Sequence, residues 1–70
     1  MRNTKGIELA QKAVRTAKQV IATNKALIEC YESNDDYASV VQAMIRIEAW
    51  EGHLEQAEGQ LAKCLEQANS

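Results

Sequence analysis

The side chains best suited to chemistry in this sequence are two cysteines, one histidine and four glutamates in a single stretch, and their spacing limits what they can do. A structural zinc site takes four Cys or His ligands at close spacing. Cys30, His53 and Cys64 do not make such a set. Glu48, Glu51, Glu55 and Glu58 could be offered as a carboxylate cluster. A di-iron bundle, however, requires Glu-x-x-His projecting inward. Here Glu51 and His53 are two positions apart, so on a helix they leave on different faces. Glu48 and Glu55 fall on an outward face, and the group reads as a solvated acidic surface. No metal or other cofactor is expected. Acid–base and nucleophilic catalysis need a base beside its target inside a concavity. No Cys–His or Ser–His pair stands out at contact spacing, and the chain reads as non-enzymatic.

A second group of residues bears on binding. Gly52 and Gly59 are seven apart and each costs about 1 kcal/mol in a helix interior relative to alanine. They are either tolerated surface positions or places where a partner helix comes close. Asn24 interrupts an apolar stripe; it either fixes register or association as a buried amide, at some cost in stability, or reaches solvent at the seam edge. Trp50 is assigned to the core, with an interface anchor as the alternative. Arg2, Lys5, Lys12, Arg15, Lys18 and Lys25 make the first half basic. Such a stripe could face a nucleic-acid backbone, but no aromatic residue interleaves with it to stack on single strands. Solvated helix surface is the plainer reading.

These residues must be positioned by helices. There is no proline, and straight-chain residues that lose little entropy in a helix are abundant. From Ile7 the apolar positions recur three and four apart through Ala10, Val14, Ala17 and Ile21, then Asn24, Ile28 and Tyr31. A second stripe runs Val40, Ala43, Ile47, Trp50, Leu54, Ala57, Leu61, Cys64 and Ala68. Ser33-Asn34-Asp35-Asp36 separates the two. Asn34 is expected to take a left-handed backbone, with Asp35 or Asp36 capping the next helix. Asn3 or Thr4 is expected to cap the first. The helices are placed at about 4–32 and about 37–68, with the turn at 33–36, in one domain covering 1–70.

Folding the chain at Asp35/Asp36 tests the stripes against each other. Ile7 meets Cys64, Val14 meets Ala57, Ile21 meets Trp50, Asn24 meets Ile47 and Ile28 meets Ala43; the numbers of every such pair have one constant sum. Most layers oppose a large side chain to a small one, so the helices can approach closely. Lys18 comes level with Glu51, an exposed pairing worth at most about 1 kcal/mol. The fold class is therefore all-α, an antiparallel two-helix hairpin of coiled-coil type. Its intrachain core is Ile7, Val14, Ile21, Ile28, Ile47, Trp50, Leu54 and Leu61. In this register Cys30 lies about 23 helical residues, roughly 34 Å, from the level of Cys64, too far for a disulfide.

The apolar arc is wider than one seam needs. Val20 and Leu27 widen the first stripe, and Met44 and Leu65 the second; Leu9, Val41 and Ile45 lie further round. Excess apolar surface marks a partner site. The hairpin is expected to be completed by self-association or by another protein, through Val20, Leu27, Val41, Met44, Ile45, Gly52 and Gly59. The net charge of -2 makes nucleic acid the less favoured partner. No apolar run approaches the ~20 residues of a membrane span, and Met1 to Leu9 lack a secretory h-region. Membrane insertion is not expected, and a cytoplasmic location is.

Two families of small hairpin are similar. The stretch Ala49-Trp50-Glu51-Gly52-His53-Leu54, with the chain length and the polar turn, resembles the hairpin co-chaperones of type III secretion needle subunits. Trp50 departs from the aliphatic residue usual there. The resemblance implies a non-catalytic chaperone that pairs with a helical-repeat chaperone and, through it, with a needle subunit. The alternating large and small layers and the basic first helix also resemble the plasmid copy-number regulators that dimerise into four-helix bundles and bind RNA. That is the alternative function.

Overall fold

The structure, a computed structural model, describes residues 4–69. The chain forms two helices, α1 (Thr4–Ser33) and α2 (Tyr37–Asn69), packed against each other along their length. The result is an all-α hairpin, a rod of 54 × 14 × 11 Å. Asn3 and Arg2, named above as a cap and as part of the basic face, lie outside the described residues.

The seam falls where the periodicity put it. Every residue of the two stripes is buried or half-buried. Ala10, Ala17, Ile21, Asn24 and Ala43 are the buried ones. Among the described residues only alanines are sealed off completely, Ala17 at 1% and Ala43 at 0% exposed, whereas Ile21 keeps 8%. Two helices touching along one line close over small side chains and leave large ones partly wet. The hydrophobic gain per residue is therefore below the ~1.5–3 kcal/mol of a fully buried side chain.

Among the described residues outside the stripes, those that are not exposed are Gly6, Val20, Leu27 and Ser39. At heptad spacing these four lie on one flank of the pair. The helices are thus rolled so that this flank is tucked. The opposite flank, carrying Lys18, Lys25, Met44, Glu51, Glu58 and Leu65, is open.

Asn24 is 5% exposed and satisfied on both sides. Its amide nitrogen donates to the carbonyl of Val20 at 2.9 Å, and its Oδ1 accepts from Arg46 Nε at 2.8 Å. This bond crosses the seam next to Ile47, in the layer where the register places Asn24. Lys18 and Glu51 form no ion pair among the described residues; the guanidinium–amide bond supplies the polar cross-link instead. Two mobile side chains in water gain too little to hold each other, whereas an amide already fixed in the seam loses little on accepting a bond.

The turn differs from expectation by one residue. Asp35, not Asn34, takes the left-handed backbone, with φ 57°. Asp36 N–H donates to the Tyr31 carbonyl at 2.9 Å and Asp35 N–H to the Glu32 carbonyl at 3.1 Å, the paired bonds of a Schellman motif. The reason lies in the last turn of α1. The Asn34 amide donates to the Cys30 carbonyl and the Ser33 hydroxyl to the Glu29 carbonyl. These bonds tie Ser33 and Asn34 back to the preceding turn and carry helical geometry one residue further. Asp36 then caps α2, its carboxylate accepting from Ser39 N–H at 3.2 Å and Ser39 Oγ at 2.7 Å.

Candidate protein-interaction site

Near the turn, α2 opens with apolar residues on its outward side. Val41, Met44 and Ile45 follow Tyr37 by four, seven and eight positions, so the four lie side by side on the helix surface. They are 61, 54, 57 and 62% exposed, together forming an apolar patch where a free helix would carry charge. Val41, Met44 and Ile45 were expected here. Tyr37 was missed, although its place one turn before Val41 is a readable signal. The Tyr37 hydroxyl donates to Asp35 Oδ1 at 3.3 Å, which ties the patch to the turn.

The other expected binding residues separate into two places. Gly52 and Gly59 continue the line of Ile45 at intervals of seven, and a Cβ built on either would meet nothing within 4 Å. Nothing inside the hairpin requires glycine there. Val20 and Leu27 are half-buried on the tucked flank, so they do not join the turn patch.

The tucked flank holds a second feature that sequence reasoning did not find. Leu9, Ala13, Thr16 and Ala17 of α1 and Trp50 and Ala57 of α2 line a groove of about 340 Å³, with Lys12 and His53 also on its wall. Small residues on both helices leave the space. Trp50 keeps its ring at one end, edge-on to His53 with ring centroids 5.1 Å apart at 76°. The pair follows from i, i+3 spacing on one helix. Trp50 is thus a half-buried seam residue that also lines the open groove. Leu9, at 58% exposed, stands at the far end.

The groups considered for chemistry stay apart. Cys30 is an exposed free thiol, and Cys64 is half-buried in the seam and also free. Among the described residues no three His, Cys, Asp or Glu side chains converge on a point that could hold a metal ion. No helix among them is long and apolar enough to cross a membrane. Lys5, Lys12, Arg15, Lys18 and Lys25 are all exposed on α1.

The fold and these surfaces define a two-helix hairpin with one thin seam and two apolar surfaces, a turn patch and a flank groove. Comparison with family models, with curated proteins and with solved structures gives no match.

Proposed function

We propose that this chain is a non-catalytic interaction module of the co-chaperone kind, which holds a helical partner protein against the turn end of α2. The observation that carries the reading is the contiguous patch of Tyr37, Val41, Met44 and Ile45, each more than half exposed. A patch of this kind is unfavourable in water and becomes favourable when a partner covers it.

The area supports the same reading. The hairpin exposes 5367 Å², against about 4400 Å² for a compact monomer of its mass. The excess, roughly 1000 Å², is surface that a rod of 54 × 14 × 11 Å leaves uncovered and that a partner can cover. By the resemblance of the 49–54 stretch, the partner is a helical-repeat chaperone in the cytoplasm, and the protein finally guarded is a secretion needle subunit.

The test is replacement of Val41 and Ile45 by glutamate, followed by pull-down and light scattering with the co-expressed helical-repeat chaperone and needle subunit. The substituted positions are exposed, so the hairpin should keep its circular dichroism and lose the partner. Assembly that is unchanged by both substitutions removes the patch from the interface. Absence of any complex with the unsubstituted chain removes the secretion assignment.

A further inference from the structure

We infer that the flank groove is a second docking site, and that its occupant is an acidic amphipathic helix of another protein. The inference goes beyond the turn patch and does not depend on it. The groove floor is apolar and made of small side chains, Ala13, Ala17 and Ala57, walled by Leu9 and Trp50. Such a trough accepts bulky side chains spaced along one helical face.

Charge chooses between occupants. Among the described residues, the groove lining holds Lys12 and no carboxylate, and Arg46 and Lys63 lie further along the same flank. Lys12 lies on the groove wall itself. In the hairpin register Lys63 stands level with Glu8, beside Leu9, at one end, and Arg46 lies one turn beyond Trp50 at the other. Of the acidic residues of α2, Glu48, Glu51, Glu55 and Glu58 are exposed on other faces, and the exposed Glu66 lies about one turn past the Leu9 end of the groove. A helix with large apolar anchors flanked by carboxylates would place its anchors over the alanines and its charges beside these cations. A basic helix would meet three like charges. Two copies of this chain meeting groove to groove would meet the same repulsion.

Trp50 is the sole tryptophan, so its fluorescence reads the groove directly. The probes are two synthetic helical peptides with the same leucine stripe, one flanked by glutamate and the other by lysine. The glutamate peptide should shift Trp50 emission to the blue in a saturable way and bind more weakly as salt is raised. The lysine peptide should bind at least about tenfold more weakly. Ala13→Glu, at an exposed position, should lower affinity for the glutamate peptide by about tenfold or more while leaving circular dichroism unchanged. Lys12→Glu, at an exposed position, should narrow or reverse the preference. Val41→Glu and Ile45→Glu should leave peptide binding intact, so that failure of the groove and failure of the turn patch are distinguishable. Equal binding of the two peptides, or indifference to Ala13→Glu, overturns the inference. So does saturable, salt-sensitive binding of an RNA duplex in place of the glutamate peptide. Self-association abolished by Ala13→Glu also overturns it, by making a second copy the occupant.

Discussion

Replacing Gly52 and Gly59 together by alanine asks whether the outward face of α2 is free. Each glycine sits in the interior of a 33-residue helix, and an added methyl group would meet nothing within 4 Å at either position. No steric cost offsets the gain in helix propensity, which is about 0.8–1.0 kcal/mol per site. The sites are seven residues apart, roughly 10 Å along the axis, with no shared neighbour, so their effects should add. The expected sum is about 1.6–2.0 kcal/mol. For a chain of this size 1 kcal/mol moves Tm by about 4–8 °C, which gives a rise of roughly 6–16 °C. Thermal melts followed by circular dichroism at two protein concentrations would measure it. Urea titration should show a higher midpoint with an unchanged slope. A Tm that stays the same or falls would refute the reasoning, because the glycines would then be lying against something, and a second copy is what the concentration series would reveal. The substitutions also test the binding line that continues Ile45. If a partner comes close at these positions, the stabilised double variant will bind it less well.

Two further substitutions probe the polar devices of the fold. Arg46→Ala removes the donor to a 5%-exposed Asn24 and should cost about 1–3 kcal/mol in a urea titration; Arg46→Ala combined with Asn24→Leu should recover much of that loss, and failure to recover would mean the arginine acts by some other contact. Asp36→Ala removes the cap on Ser39 and should cost about 1 kcal/mol. Asp35→Gly relieves a left-handed residue with a side chain and should gain about 0.5–1 kcal/mol, so two adjacent aspartates should respond with opposite signs.

The seam was legible because helical periodicity is strong and a single antiparallel pair has few ways to satisfy it. The constant-sum pairing of Ile21 with Trp50 and of Asn24 with Ile47 rests on nothing but residue type. The turn was legible to within one residue. Its exact place depended on whether Ser33 and Asn34 bonded back to the carbonyls one turn earlier, and propensity alone does not decide that. Apolar periodicity carries no signal for the Arg46 bond to Asn24, although Arg46 stands beside Ile47, the residue opposite Asn24. Lys18–Glu51 was proposed because charge signs are visible in a sequence, whereas the entropy of holding two exposed side chains together is not. For the candidate sites, Val41, Met44 and Ile45 could be read from excess apolarity. Their separation from Val20 and Leu27 could not, since it depends on the roll of the helices that tucks one flank and opens the other. The groove arises from the same roll acting on Ala13 and Ala17. Small residues had been read as partners for large ones across the seam, not as the floor of a space.

The hydrogen-bonded turn from Tyr31 to Ser39 has a consequence for how the rod opens. Contacts beside it join residues close together in the chain, while those at Ile7 and Cys64 join residues far apart, and the entropy of closing a loop rises with its length. The two strands of the hairpin should therefore behave like a zipper whose slider rests at Asp35 and Asp36, closing from there and fraying first at the opposite end. Amide exchange should then slow progressively from the Ile7–Cys64 layer towards Ala43. The turn patch would be presented by the stiffest part of the molecule, and the Leu9 end of the groove by the part that breathes most.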